Sequence, residues 1–383
     1  MHILFILDYF PPYIWWIETL FDDVTDFWVK KWYTIYIITS RHDKKLPRIE
    51  KRKWVTIYRI GNNRFSIVFQ ALRFWLKNKA LLQSIDHIHT STFSAAIPSW
   101  ILSKLYKKTC TVTIHEIYDR LRYHLKGNKA RWYIAFEKLL LLLPWTHIVT
   151  VSNYTKSMIQ DIYHLPDTAL SVIYNQIDSD FWNLEQVQDK EITTLKKEHN
   201  LTNKKIGLFI GRLGHEKWLP YLIESLNDII QLHPNFVLVI IAYKTPQLYA
   251  PNIQDQIKST KDQITNNNLH QHIIWIDPVK DDETLRLWMA TSDIGIIPSM
   301  SEWFCYTAVQ MQSMGLPLIV SKVGALPEVL KSHHTFIWYG KIKELSTAIN
   351  KNLSKSIHKH QSENSNTSIN YQEYYDLFEQ YRK

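Results

Sequence analysis

Glycine and cysteine are both scarce in this sequence of 383 residues. Nine glycines and two cysteines stand against 15 tryptophans and a hydrophobic fraction of 45%. With Cys110 and Cys305 alone, a disulfide framework is excluded, which fits a reducing cytoplasm. The glycines of "GLFIGRLG" follow a G-x-x-x-G-x-x-G pattern, whereas a nicotinamide-dinucleotide fingerprint requires G-x-G-x-x-G. That type of cofactor site is therefore not expected.

Long apolar runs are also missing. The nearest candidate, "LLLLLPWTHIVTVS", contains Pro144 and His147 and is too short to cross a bilayer. The N-terminal "MHILFILDYF" has no cationic segment before its apolar run, so it is typical of a buried strand and not of a signal peptide. We therefore expect a cytoplasmic protein without a membrane span.

The net charge of +9 lies in the N-terminal half. Residues 1–180 hold 24 basic and 15 acidic residues, residues 181–383 hold 21 of each, and residues 41–79 hold 12 basic and 2 acidic residues. The segment 41–79 is either a solvated surface or a patch facing anionic lipid headgroups or a phosphate-bearing acceptor. The second interpretation predicts peripheral binding at the inner face of the cell membrane. Nucleic acid is not an expected partner, because no nucleic-acid module accompanies the charge.

Short β-branched runs alternate with amphipathic helical patterns along most of the chain. This alternation predicts an α/β protein with mostly parallel sheets covered by helices. A polar, charged stretch near residues 176–205 interrupts it, after which the alternation restarts. We therefore expect an N-terminal domain over 1–180, a C-terminal domain over 181–350, and a tail with a closing helix over 351–383. Two such domains in series would face a central cleft, the default ligand site.

The strongest motif is "GLFIGRLGHEKWLPYL". A predicted strand ends at Gly211, and Arg212 and Lys217 follow where the chain leaves the strand. Two fixed cations at that place suit a diphosphate, since arginine can bind two oxygens at once and lysine acts as a point charge. The alternative is a pair of ordinary surface cations.

A second motif extends from Asp293 to Leu330. After a strand ending in "PS", a loop carries Glu302, and a helix then carries Gln310. A carboxylate beside the backbone N–H groups of Phe304 and Cys305 can bind sugar hydroxyls and phosphate oxygens together.

Both motifs resemble the C-terminal domain of retaining glycosyltransferases of the GT-B fold, in the nucleotide-sugar family GT4. The family's G-R-L-x-x-x-K-G corresponds to "GRLGHEKW", and its P-S-x-x-E-G-F…E…G-x-P-V-V-x-S-x-x-G-G-x-P-E corresponds to residues 298–328. In the first half, P-P-x-x-G-G-x-E corresponds to "PPYIWWIE", T-x-H-D to "TIHE", V-S-x-x-x-K to "VSNYTK" and N-G-I-D to "NQID". The resemblance implies a GT-B architecture of two Rossmann-like domains.

The resemblance also implies residue roles. Arg212 and Lys217 would neutralise the leaving diphosphate, and Glu302 would bind donor-sugar hydroxyls. Gln310 stands where the family has a second Glu that holds the ribose, and an amide can still hydrogen-bond a diol. His115 would contact the donor sugar; otherwise it is a structural histidine at a strand end. Gly211 and the backbone at Phe304 and Cys305 complete the donor site.

The implied reaction moves a hexose, with retention by same-face attack, from a nucleoside-diphosphate sugar to a glycan or lipid-linked acceptor in cell-envelope polysaccharide synthesis. No metal and no cofactor beyond this donor substrate are expected. The "DSD" of Asp178–Asp180 imitates a metal motif of the other glycosyltransferase fold, but here it continues the N-Q-I-D correspondence. We assign it no metal.

Several tryptophans stand where the family typically has glycine: Trp15, Trp16, Trp32, Trp54, Trp218 and Trp303. Trp15 and Trp16 occupy the turn that brings backbone N–H groups near donor or acceptor. Some bacteria read UGA as glycine, whereas other genetic codes read it as tryptophan. We therefore interpret these tryptophans as UGA codons over real glycine positions. Trp145 and Trp182 fit their surroundings as genuine tryptophans.

Two other functions stay open. If the tryptophans are genuine, a catalytically inactive GT-B scaffold protein becomes the alternative. A sugar-nucleotide epimerase of the same fold is disfavoured by the correspondence at Arg212, Lys217 and Glu302.

Overall fold

A computed structural model describes residues 1–13, 16–118, 130–243, 253–276, 279, 281–355 and 371–380. The chain divides into two compact units. Unit 1 comprises Met1–Gln176 and Asn370–Lys383, and unit 2 comprises Ile177–Ile369. The two units are defined by structure alone. The assignment of residues 1–180 and 181–350 to two functional domains stays a prediction.

Unit 1 is built on an eight-stranded sheet in the order β3-β4-β2-β1-β5-β6-β7-β8. Every neighbouring pair is parallel except β3 and β4, which are antiparallel. The strands are β1 (His2–Ile6), β2 (Thr34–Thr39), β3 (Ile49–Arg52), β4 (Val55–Arg59), β5 (His87–Ser91), β6 (Thr109–Ile114), β7 (His147–Thr150) and β8 (Leu170–Val172).

Helices cover this sheet because their apolar residues recur at helical spacing. In α1 (Trp16–Lys30), Leu20, Phe21 and Val24 are buried against the sheet. The other helices are α2 (Ser66–Lys77), α3 (Lys79–Ser84), α4 (Ala96–Tyr106), α5 (Ala130–Leu142) and α6 (Asn153–Tyr163), with a short 3₁₀ turn at Asp167–Ala169.

Unit 2 is built on a six-stranded parallel sheet in the order β11-β10-β9-β12-β13-β14. Its strands are β9 (Lys205–Arg212), β10 (Phe236–Tyr243), β11 (Ile273–Ile276), β12 (Ile294–Ile297), β13 (Leu318–Ser321) and β14 (Thr335–Ile337). Its helices are α7 (Asp189–Glu198), α8 (Leu219–Leu232), α9 (Ile253–Asn266), α10 (Asp282–Thr291), α11 (Tyr306–Ser313), α12 (Leu326–Val329) and α13 (Ile342–Leu353), with 3₁₀ turns at Leu184–Gln186, His215–Lys217 and His270–His272.

The parallel α/β architecture predicted from the alternating sequence is confirmed in each unit. Strands such as β9 and β10 are apolar on both faces, as expected for sheets covered on both sides. The stretch near 176–205 is more ordered than its polar composition suggested, because α7 forms within it and contacts α10.

The predicted closing helix is also confirmed. α14 (Gln372–Glu379) returns to unit 1, where Tyr374 and Phe378 are buried in the core. The ring of Phe378 lies 4.7 Å from that of Trp28 on α1. No helix among the described residues is long and apolar enough to cross a membrane.

Candidate active site

The two motifs of unit 2 meet where the strand order of its sheet reverses. β9 lies in the middle of the sheet, with β10 on one side and β12 on the other. The first motif leaves the carboxyl end of β9, and the second leaves the carboxyl end of β12. Carboxyl ends at such a switch point form the usual ligand-binding crevice of open parallel sheets.

Lys217 and Glu302 are brought into direct contact. The Nζ of Lys217 lies 2.5 Å from Oε1 of Glu302, and the Ser299 hydroxyl donates to the same oxygen at 2.7 Å. Burial by itself would lower the pKa of Lys217, but the Glu302 carboxylate outweighs it, so the pKa is raised. The lysine is therefore held as a cation within a partly buried site.

The backbone of Glu302 is fixed from a different turn of the chain. Its carbonyl oxygen accepts a hydrogen bond of 2.9 Å from the N–H of Ala325. Gly324 has a φ of +57°, and a Cβ atom there would lie 1.9 Å from that carbonyl oxygen. Only glycine fits this approach, so the turn after β13 sets the position of the loop that carries Glu302.

Arg212 lies at the end of β9 and is half-buried. Its guanidinium is 3.6 Å from the carboxylate of Glu216, whose backbone oxygen accepts a 2.7 Å hydrogen bond from the N–H of Met300. The two motifs are thus joined twice, through Lys217–Glu302 and through Glu216–Met300. A Cβ atom at Gly211 would meet ordinary contacts of 3.7–3.8 Å, so steric crowding does not require glycine there.

The remaining predicted donor-site residues lie at the start of α11. Cys305 precedes the helix with a φ of +74°, a conformation that favours glycine. Burial, reinforced by the nearby Glu302 carboxylate, raises the pKa of the Cys305 thiol to about 12, so it stays protonated. Phe304 is buried, and Gln310 lies on α11, half-buried.

Three predicted site residues belong to unit 1. His115 directly follows β6 and is 1% exposed, and burial lowers the pKa of its imidazole to about 3. It is therefore neutral, and its ring lies edge-on to Phe21 at 6.0 Å. Trp15 lies outside the described residues. Trp16 begins α1, and its side chain is likewise outside the description.

Two of the unexpected tryptophans adopt a backbone conformation that glycine favours. Trp218 has a φ of +58° before α8; its ring stacks on that of Tyr221 at 3.9 Å and lies tilted to that of Tyr339 at 4.2 Å. Trp32 has a φ of +64° and is 83% exposed. At Trp54, in contrast, the positive φ belongs to the preceding residue, Lys53.

A group of charged side chains in unit 1 was not predicted from the sequence. Asp8, beyond the end of β1, is 2.9 Å from Arg64. Glu18 on α1 is buried, and burial raises the pKa of its carboxyl to about 8, with the charge of Asp8 adding to the rise and that of Arg64 opposing it. In the sequence, the signal for this group is the glutamate that ends "PPYIWWIE".

Carboxylates at the linker have a local role. Asp178 Oδ1 accepts the N–H groups of Asp180 and Phe181, each at 3.0 Å, which caps the turn. Among the described residues, no three His, Cys, Asp or Glu side chains are grouped so as to hold a metal ion.

Two family models match consecutive parts of the chain. The model described as "Glycosyl transferases group 1" matches residues 191–368, and that described as "Glycosyltransferase Family 4" matches residues 17–181. The first therefore contains Arg212, Lys217 and Glu302, and the second contains Glu18 and His115.

Individual proteins agree with these models. An uncharacterized glycosyltransferase of Methanocaldococcus jannaschii is 27% identical over 191 residues, which is 50% of this chain and 46% of that protein. The match thus spans about half the length of this relative. Among solved structures, sucrose-phosphate synthase from Thermosynechococcus elongatus has a TM-score of 0.79 at 16% identity. The alignment covers 100% of this chain and 98% of the synthase chain. Anabaena HepE in complex with UDP-glucose has a TM-score of 0.72 at 17% identity. The alignment covers 92% of this chain and 90% of the HepE chain.

Proposed function

Because the chain belongs to the GT4-type glycosyltransferases of the GT-B fold, we propose that it transfers a hexose from a nucleoside-diphosphate sugar to a glycan or lipid-linked acceptor. The observation that carries this proposal is the contact of 2.5 Å between Lys217 and Glu302 at the switch point of unit 2. The likeness to HepE, solved with UDP-glucose, supports a nucleotide sugar as donor.

The proposed mechanism follows from the charges that develop during the reaction. Breaking the bond between the sugar and the diphosphate places negative charge on the phosphate oxygens and positive charge on the sugar. Lys217 and Arg212 stabilise the first, and the buried carboxylate of Glu302 binds sugar hydroxyls beside the reacting carbon. When the donor enters, Lys217 exchanges Glu302 for phosphate oxygens.

We further propose that the acceptor attacks from the face that the diphosphate leaves, so that the anomeric configuration is retained. Such a reaction needs no pair of carboxylates for a double displacement. The cations of the protein supply the charge stabilisation that a metal provides in other glycosyltransferases.

A donor screen tests the proposed function. The purified protein is incubated with UDP-, ADP-, GDP- and dTDP-linked hexoses, and release of the nucleoside diphosphate is measured. We expect slow hydrolysis of one donor class and its absence in Lys217→Ala. NMR of the sugar product then reports the anomeric configuration. Release that is equal in both proteins, or inversion at the anomeric carbon, would contradict the corresponding part of the proposal.

A scaffold without catalysis is the second candidate. It is favoured by the bulk of Trp218 and Trp303, which adjoin Lys217 and Glu302 in the chain. The two candidates differ in whether these tryptophans are genuine.

We also propose that unit 1 binds anionic membranes peripherally. Of the 12 basic residues of segment 41–79, Arg52, Arg59 and Arg64 form ion pairs within the protein. Nine of the 12 are exposed, and of these only Arg52 is ion-paired among the described residues: Lys44, Lys45, Arg48, Lys51, Arg52, Lys53, Arg73, Lys77 and Lys79. On α2 and just before it, Phe65, Phe69 and Leu76 are exposed on the side that carries Arg73. Apolar and cationic side chains on one helix face suit an interfacial position.

Liposome co-sedimentation should detect this binding. We expect more protein on vesicles containing phosphatidylserine than on pure phosphatidylcholine, with the difference shrinking as salt rises. Arg73→Glu/Lys77→Glu should weaken binding by about tenfold or more, since each basic residue near the surface contributes about 1 kcal/mol. The control Arg131→Glu/Lys138→Glu makes the same change of charge on α5 and should bind like the wild type. Equal retention on both vesicle types would remove the electrostatic argument.

A further inference from the structure

Ser299 and Lys217 share one oxygen of the Glu302 carboxylate. The hydroxyl of Ser299 donates to Oε1 at 2.7 Å, and Nζ of Lys217 lies 2.5 Å from the same oxygen. Ser299 follows β12 in the loop that carries Glu302, whereas Lys217 ends the 3₁₀ turn after β9. The oxygen therefore has a neutral donor from its own loop and a charged donor from a different one.

These two donors behave differently when a diphosphate binds. In the proposed mechanism Lys217 leaves Glu302 for phosphate oxygens, so the carboxylate loses its cation. Glu302 is 7% exposed, and a buried carboxylate without a partner is costly. Ser299 is neutral and 1% exposed, so it stays with the carboxylate. The Cys305 thiol also hydrogen-bonds to this carboxylate, but a thiol is a weak donor.

The backbone around Glu302 is fixed independently of the Glu302 side chain. The N–H of Met300 donates to the carbonyl oxygen of Glu216 at 2.7 Å, and the carbonyl oxygen of Glu302 accepts from the N–H of Ala325 at 2.9 Å. These bonds leave the side-chain torsions of Glu302 free, and a long carboxylate side chain has several rotamers to choose from. A hydrogen bond to Oε1 restricts that choice.

We infer that Ser299 is a positioning residue, whose hydroxyl keeps the Glu302 carboxylate in place for the donor sugar after Lys217 has moved to the diphosphate. This inference rests on the proposed function, since it concerns how Glu302 performs its part of it. In this role Ser299 acts through Glu302 and not on the donor. Removing the hydroxyl should therefore weaken donor binding only while the carboxylate is present.

A double-mutant cycle tests this dependence. The affinity for the donor found in the screen is measured by calorimetry for the wild type, Ser299→Ala, Glu302→Ala and the double variant. Ser299→Ala should weaken binding by about tenfold or more in the wild type, the size of a hydrogen bond to a charged group. In the Glu302→Ala background, the same change should alter the affinity by less than about twofold. A loss from general damage to the site would appear in both backgrounds.

Two further variants serve as controls for the missing hydroxyl. Ser299→Thr keeps a hydroxyl group and should retain most of the donor affinity. Ser225→Ala is the matched control, because this serine of α8 is also buried but its hydroxyl donates to the carbonyl oxygen of Leu222 in its own helix, at 2.7 Å. It should bind the donor like the wild type.

Thermal unfolding of the same proteins tests the contact without any ligand. Ser299→Ala should lower Tm in the wild type, since Glu302 loses a partner. In Glu302→Ala the Ser299 hydroxyl is buried without the carboxylate that accepts its hydrogen bond. Removing the hydroxyl there should leave Tm unchanged or raise it. If Ser299→Ala does not fold, Ser299→Cys, which exchanges the hydroxyl for a weak donor, takes its place in both cycles.

The outcomes separate this inference from the proposed function. Absence of donor binding in the wild type contradicts the proposed function, and the inference fails with it. Where the wild type binds a donor, the inference alone is overturned by equal weakening in both backgrounds, by a loss under about threefold in the wild-type background, or by equal falls of Tm in both. The proposed function then stands.

Discussion

Replacing Lys217 by alanine should lower kcat/KM by about 30- to 1,000-fold, and Arg212→Ala should have an effect in the same range. Each change removes a fixed cation from the place where we propose that diphosphate charge develops, which would cost about 2–4 kcal/mol of transition-state stabilisation. Lys217→Ala also leaves Glu302 buried without the cation 2.5 Å away. Steady-state kinetics with the donor found in the screen measures the loss.

Lys261→Ala is the matched control, because this lysine of α9 is exposed and takes no part in the site. It should behave like the wild type, and Tm measurements on all three variants separate misfolding from lost catalysis. A fall of less than about threefold, equivalent to under ~1 kcal/mol, in a folded Lys217→Ala or Arg212→Ala protein would show that the assigned role is wrong.

Restoring glycine at positions 15, 16, 218 and 303 should raise transfer activity sharply. Trp218 directly follows Lys217 and has a φ of +58°, which is disfavoured for any residue with a Cβ atom. Trp303 directly follows Glu302 and adds an indole next in sequence to the carboxylate that we propose binds the sugar. The quadruple variant and the protein as sequenced are compared in the same donor assay. Equal activity would contradict the steric argument.

Trp32 gives an independent reason to expect glycine codons. The N–H of Tyr33 donates to the oxygen of Trp28, and the N–H of Trp32 to that of Val29, at 3.2 and 3.0 Å. These two bonds define a Schellman motif, whose left-handed position, occupied here by Trp32, is usually glycine. Like the codon at 32, those at 15, 16, 218 and 303 should read UGA, whereas those of Trp145 and Trp182 should read UGG. If all four read UGG, the decoding interpretation fails and the scaffold function is the one to test first.

The fold was largely predictable because strand and helix periodicities are local properties of the sequence. The alternation predicted both parallel sheets, and the segment "YQEYYDLFEQYRK" predicted the closing helix. The placement of that helix in unit 1 was not predictable, since it depends on Tyr374 and Phe378 meeting a core formed mostly by residues more than 300 positions earlier. Periodicity identifies a buried face but not the surface that buries it.

The candidate site of unit 2 could be located from the sequence for a different reason. Arg212, Lys217 and Glu302 stand in motifs whose residue types and spacing indicate the binding of a diphosphate and a sugar. The roles of the three residues stay predictions. Glu18 was missed because its environment, and not its neighbours in sequence, raises its pKa. Asp8 and Arg64 were missed because their pairing spans more than 50 residues and follows no local rule.

The pairing of Lys217 with Glu302 also bears on which solutes can bind beside these two residues. A monovalent solute such as chloride or acetate offers the lysine no more charge than the carboxylate it would replace, so the exchange brings no gain. A nucleoside diphosphate offers more than one charge, and its sugar gives Glu302 new partners at the same time. Glu302 thus competes with solute anions for Lys217. Small monovalent anions do not displace it, whereas a nucleoside-diphosphate sugar can.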